Sequence, residues 1–129
     1  MGTRIGNVAL WVTDLERSER FWVDGLGLAV QARIDTPDVR EILVGSPDGG
    51  TQVLLSKATV DADENRPRPD GIWKVFLDVD DVQGAFDAAV AAGATPDREP
   101  FDLELPNLTI TLAFVRDPDG YLLEMGHRV

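Results

Sequence analysis

The sequence contains no cysteine and a single histidine, His127. The first absence excludes disulfides, zinc ribbons and thiol nucleophiles. The second excludes a multi-histidine metal cluster within one chain, and it limits any serine-triad chemistry to a base at that one position. Basic residues are scarce as well: 12 Lys and Arg stand against 23 Asp and Glu, a net charge of −11. Such a balance argues against nucleic acid as a partner. It favours an acidic, solvated surface and is compatible with a cationic ligand. Long apolar runs are missing, both as a membrane span and as an N-terminal signal region. The expectation is a cytoplasmic protein that makes no use of a membrane.

What is present is the material of one small α+β domain. At 129 residues, 43% hydrophobic and 27% charged, the chain has ordinary globular composition and enough length for a core. Residues 5–12 read as a buried strand. Thr13 or Asp14 can cap a helix from Leu15 to about Val23, which Gly25 and Gly27 end. Apolar runs at 28–34, 39–44 and 52–55 follow, separated by proline- and glycine-bearing turns. Residues 57–71 are polar and proline-stiffened, and read as a linker. The pattern then restarts. A strand over 72–79 precedes a helix begun by Asp80 or Asp81, in which Val82, Ala85, Phe86, Ala89 and Val90 make one apolar stripe. Gly93 closes that helix. A short extended piece near 95–98, a strand over 108–115 and a last strand from Tyr121 to about Gly126 complete the chain.

A shift of 67 positions lays Val8 on Val75, Leu10 on Leu77, Val12 on Val79, Asp14 on Asp81 and Val23 on Val90. The turn Ser46-Pro47-Asp48-Gly49 likewise answers Asp117-Pro118-Asp119-Gly120. The chain is therefore an internal duplication of a β-α-β-β-β unit: module one at about 3–56, the linker at 57–71 and module two at about 72–128.

The opening stretch 7–18, with Phe21-Trp22 and Gly25-Leu26-Gly27-Leu28, resembles the start of vicinal oxygen chelate proteins. That superfamily holds glyoxalase I, the bleomycin-resistance proteins and the extradiol dioxygenases. The ending, from Ala113 through Asp117-Pro118-Asp119-Gly120 to Glu124-Met125, is similar to that of glyoxalase I. The resemblance spans nearly the whole chain. It implies curved mixed sheets around a cavity, helices on the convex side, and a homodimer that pairs module one of one chain with module two of the other.

The same resemblance implies four metal stations, one on the first and one on the last strand of each module. They fall here on Asn7, Leu54 (Val53 if counted without a gap from the turn), Lys74 and Glu124. Asparagine is a weak neutral ligand, leucine is none, and an ammonium repels a cation. No metal or other cofactor is therefore expected. Strand alternation places Ile5, Ala9 and Trp11 with Asn7, Phe76 and Asp78 with Lys74, Gln52 with Leu54, and Leu122 and Gly126 with Glu124. The opposite faces, Val8, Leu10 and Val12, then Val75, Leu77 and Val79, then Leu123 and Met125, should pack on the helices.

Asn7, Trp11, Gln52, Leu54, Lys74, Phe76 and Glu124 are thus the candidate ligand-binding residues, and Lys74 and Glu124 the candidate acid/base pair. Lys74 is expected to pair with Glu124, as a structural ion pair or as catalytic groups. Trp11 is read as a stacking platform in preference to core. Phe21, Trp22 and Trp73 are read as core, and His127 as a surface residue. Three functions stay open. The first is a binding protein that sequesters a hydrophobic or cationic small molecule. The second is a glyoxalase-like lyase or isomerase acting on a small carbonyl compound through Lys74 and Glu124 or an atypical metal; lactoylglutathione lyase itself is disfavoured, because its metal ligands are missing. The third is a dimerisation module without a ligand.

Overall fold

The computed structural model describes residues 2–127. It divides between Arg68 and Pro69 into two compact units, inside the stretch read as a linker. Each unit is a four-stranded mixed sheet with a helix, so the chain is of the α+β class.

In the first unit β1 (Asn7–Trp11) leads to α1 (Leu15–Arg20), and then come β2 (Ala29–Asp35), β3 (Val39–Gly45) and β4 (Gln52–Ala58), in sheet order β1-β4-β3-β2. In the second, β5 (Val75–Asp78) leads to α2 (Val82–Ala91), β6 (Thr95–Leu105), β7 (Leu108–Arg116) and β8 (Leu122–Gly126), in order β5-β8-β7-β6. In both, the first strand runs parallel to the last and every other pairing is antiparallel.

The duplication holds at the level of single hydrogen bonds. Asp14 and Asp81, 67 positions apart, both adopt extended backbone and accept from the amide three residues on, Arg17 N and Gly84 N, each at 3.0 Å. They are the N-caps, which decides between them and their neighbours Thr13 and Asp80. The two Pro-Asp-Gly turns match as well. Gly49 N donates to Ser46 O at 3.0 Å and Gly120 N to Asp117 O at 2.9 Å. Both glycines sit at positive φ, 95° and 94°, a region that a side chain disfavours.

Several elements differ from the sequence-based expectation. The first helix does not stay α-helical to Val23: Phe21–Gly25 widens into a π turn, in which Leu26 N reaches Phe21 O. Phe21 and Trp22 are nonetheless fully buried, as expected. β4 runs to Ala58, so the linker begins later than 57, and it holds two short 3-10 turns. The largest difference is β6. It is an eleven-residue strand rather than a piece over 95–98, and it pairs with β7 to Leu105–Leu108. Pro96, Pro100 and two register shifts hide it from any period-two pattern.

The helices bury one face of each sheet. Leu10, Val12, Ile42, Val44 and Leu55 join Leu15, Phe21 and Trp22 in the core of the first unit. Ala113, Val115, Leu123 and Met125 join Val82, Phe86 and Ala89 in the second. Val8 departs from its expected place under a helix: it is 43% exposed. Val8 lies near the start of β1, an edge strand, and α1 lies mainly over β3 and β4; Leu10 and Val12, further along the same face, are buried. Val75 and Leu77, on the equivalent edge strand β5, are half-buried for the same reason, since α2 lies over β6, β7 and β8.

Candidate functional site

Each sheet has a second face that no helix of its own unit covers, and the candidate residues lie there. In the first unit the register builds three rows across that face: Asn7, Gln52 and Gly45; Ala9, Leu54 and Leu43; Trp11, Ser56 and Glu41. Gly45 is needed where it stands, because a Cβ there would lie 2.8 Å from Gln52 Cγ. Asn7, Trp11, Gln52 and Leu54 therefore do share one face. Glu41 was not singled out from the sequence. Its carboxylate accepts from Ser56 Oγ at 2.9 Å beside Trp11, and only the β3–β4 register reveals that neighbourhood.

In the second unit the corresponding face carries Lys74, Phe76 and Asp78, with Leu122, Glu124 and Gly126 on β8 and Leu112, Phe114 and Arg116 on β7. The register resolves which module-one residue answers Glu124. Phe76 pairs with Glu124, and Ala9, 67 positions earlier, pairs with Leu54 rather than Val53. Gly126 has Leu112 Cδ2 and Phe76 Cε2 2.8 and 3.1 Å from where its Cβ would be. Its missing side chain lets those two close over β8.

Lys74 Nζ stands 2.7 Å from Glu124 Oε1, as expected, with the two side chains 24% and 11% exposed. A charge pair this sheltered is held by geometry, because either partner alone would be poorly solvated. The ammonium also lies 4.1 Å from the centre of the Trp73 ring and 5.8 Å from that of Phe114. Trp73, read from sequence as core, is not in the core. It is 76% exposed, because the β5 ladder begins only at Val75 and strand alternation does not govern residue 73.

From Phe114 the apolar surface continues outward. Phe101 stacks on it with ring centres 6.4 Å apart and planes at 14°. Arg98 lies over Phe101, its Cζ 3.5 Å from the ring centre. Arg98 and Phe101 are three apart yet share a face, because a bulge between them offsets the register: Arg98 pairs with Phe114 and Phe101 with Leu112. Sequence reasoning missed Arg98, Phe101 and Phe114; the only signal was the parity of Phe114 with Arg116.

Away from this face, a cleft of about 480 Å³ opens at the start of α2, lined by Asp80, Asp81, Thr109, Thr111 and His127 among others. His127 is exposed, as expected, with Nδ1 3.5 Å from Asp78 Oδ1 and 3.8 Å from Asp80 Oδ1. Among the described residues no three His, Cys, Asp or Glu side chains gather to hold a metal, and no helix is long and apolar enough to cross a membrane.

Residues 4–125 match the model of the Glyoxalase/Bleomycin resistance protein/Dioxygenase superfamily. The chain belongs to that superfamily. Among curated relatives, a probable lactoylglutathione lyase of Vibrio cholerae is 29% identical over 95% of this chain and 88% of its own length. The lactoylglutathione lyase of Haemophilus influenzae is 28% identical over 94% and 90%. Solved structures agree on the fold. UcmS2 superposes with a TM-score of 0.76 at 22% identity, covering 99% of this chain and all of its own. TnmS3, an antibiotic-binding protein from Streptomyces sp. CB03234, gives 0.71 at 20%, covering 98% and 97%. A maize (Zea mays) glyoxalase I variant gives 0.77 at 20%, with 98% of this chain covering 45% of that one. The curated relatives thus carry lyase names, and an antibiotic-binding protein is among the structures that share the fold.

Proposed function

We propose that this superfamily member is a small-molecule binding protein whose pocket works without a metal. The observation that carries the reading is the ion pair of Lys74 and Glu124. Glyoxalase-type relatives imply a divalent metal at these stations, and the donors here do not fit one. Lysine at position 74 offers an ammonium with no lone pair, and it occupies the one carboxylate among the four stations. The other stations hold Asn7 and Leu54, a weak ligand and none. Around the pair, Trp73, Phe76, Phe101 and Phe114 supply the aromatic wall of a ligand site.

The protein acts, in this reading, as a cytoplasmic homodimer. The strip of Leu103, Leu105 and Leu108, all partly exposed on the β6–β7 hairpin, is surface for a second copy to cover.

The test is metal content and ligand capture together. Protein refolded with zinc, nickel or iron should retain no stoichiometric metal. Native mass spectrometry of purified protein should show a retained small molecule that is lost in Phe114→Ala. Tight metal binding that disappears in Glu124→Ala would overturn the reading.

The lyase names of the curated relatives support a second reading, a glyoxalase-like lyase or isomerase using Lys74 and Glu124 as acid and base. Turnover of the methylglyoxal–glutathione hemithioacetal, abolished by Glu124→Gln, would establish it in place of the first.

A further inference from the structure

Among the Lys and Arg residues on the open face of the second sheet, two have a carboxylate partner and one does not. Lys74 is on Glu124 at 2.7 Å. Arg116 reaches Asp97 Oδ1 at 3.5 Å and donates to Gly120 O at 2.9 Å. Arg98 alone has no carboxylate among the described residues: its guanidinium carbon lies 3.5 Å from the centre of the Phe101 ring, a separation that fits face-to-face stacking. Stacking of that kind uses the face of a guanidinium and leaves its N–H edge for a carboxylate or phenolate. Phe101 in turn stacks on Phe114, beside the ammonium of Lys74.

Resting on the reading of this face as a ligand site, we propose that it selects flat aromatic anions, whose ring lies along Phe101 and Phe114 and whose acidic group is held by Arg98. This reverses the cationic preference that a net charge of −11 suggests. Long-range repulsion by distant carboxylates is screened within about 8 Å at physiological ionic strength. A guanidinium in direct contact is not screened in that way. The neutralised Lys74–Glu124 pair contributes no net charge against the ligand, and the bulge between Arg98 and Phe101 brings cation and ring to one face. Arg98 is the specificity-determining residue.

Three probes of matched size separate the possibilities by calorimetry at physiological ionic strength: 2-naphthoate, neutral 2-methoxynaphthalene and cationic N-methylquinolinium. The expected result is naphthoate binding about 10-fold tighter than the neutral probe. Arg98→Gln should remove that advantage while leaving affinity for 2-methoxynaphthalene in place. Arg98 is exposed, so the variant keeps the core intact, and circular dichroism verifies this. Arg98→Lys should retain part of the preference. Equal affinity for the three, a preference for the cation, or a naphthoate preference that survives Arg98→Gln overturns the inference and leaves the ligand-site reading standing. Failure of all three probes to bind overturns both.

Discussion

Lys74 Nζ, from the residue just ahead of β5, lies 2.7 Å from Glu124 Oε1 on the neighbouring strand β8, and each is the other's principal counter-charge on a sheltered face. Lys74→Met should therefore cost about 2 kcal/mol in urea unfolding, because it leaves a buried carboxylate without its cation. The double variant Lys74→Met, Glu124→Leu should recover most of that loss, since both desolvated charges then go together. A double variant as unstable as the single one would show that the pair is not coupled.

Gly126→Ala tests the closure of Phe76 and Leu112 over β8. The new Cβ meets the ends of two side chains, which can give way in part, so the cost should be near 1 kcal/mol. The more telling readout is the displacement of Phe76: chemical-shift changes should concentrate on Phe76, Leu112 and Glu124. Shifts confined to residues 125–127 would contradict that close approach.

The two helix caps should behave alike. Asp14→Ala and Asp81→Ala each remove a carboxylate accepting at 3.0 Å, at a cost of about 1 kcal/mol by thermal or chemical unfolding. Asn at either position should restore most of the loss.

Acid should weaken the first unit through Glu19. The Arg33 hydrogen bond holds its carboxyl below the ordinary glutamate value, with bidentate contacts of 2.7 and 2.8 Å. A carboxyl lowered by folding contributes stability above its unfolded pKa and loses it as pH falls through the folded one. Glu19→Gln should thus be less stable than the natural protein at neutral pH, by about 0.5 kcal/mol for so exposed a pair. The difference should vanish in acid below the glutamate range. A constant difference across that range would rule the linkage out.

How much of this was legible beforehand follows the range of each interaction. The Pro-Asp-Gly turns and the helix starts are local chemistry, written within four or five residues; the duplication was legible because that chemistry recurs 67 positions on, while the choice of Asp14 over Thr13 and of Asp81 over Asp80 came from the structure. The Lys74–Glu124 pair was legible too. It followed from the stations that the family resemblance placed on residues 74 and 124, and the pairing of Ala9 with Leu54 and of Phe76 with Glu124 agrees with that placement.

The sequence by itself therefore determined the β-α-β-β-β repeat, the α+β class and the meeting of Lys74 with Glu124. Tertiary structure alone decided the exposure of Val8 and Trp73, because burial depends on which strands a helix overlies and where a ladder begins. It alone joined Glu41 to Ser56, Arg98 to Phe101 and Phe101 to Phe114. Those contacts depend on the pairing between strands and on the bulges of β6, and alternation along one strand carries no record of where a bulge will shift the register.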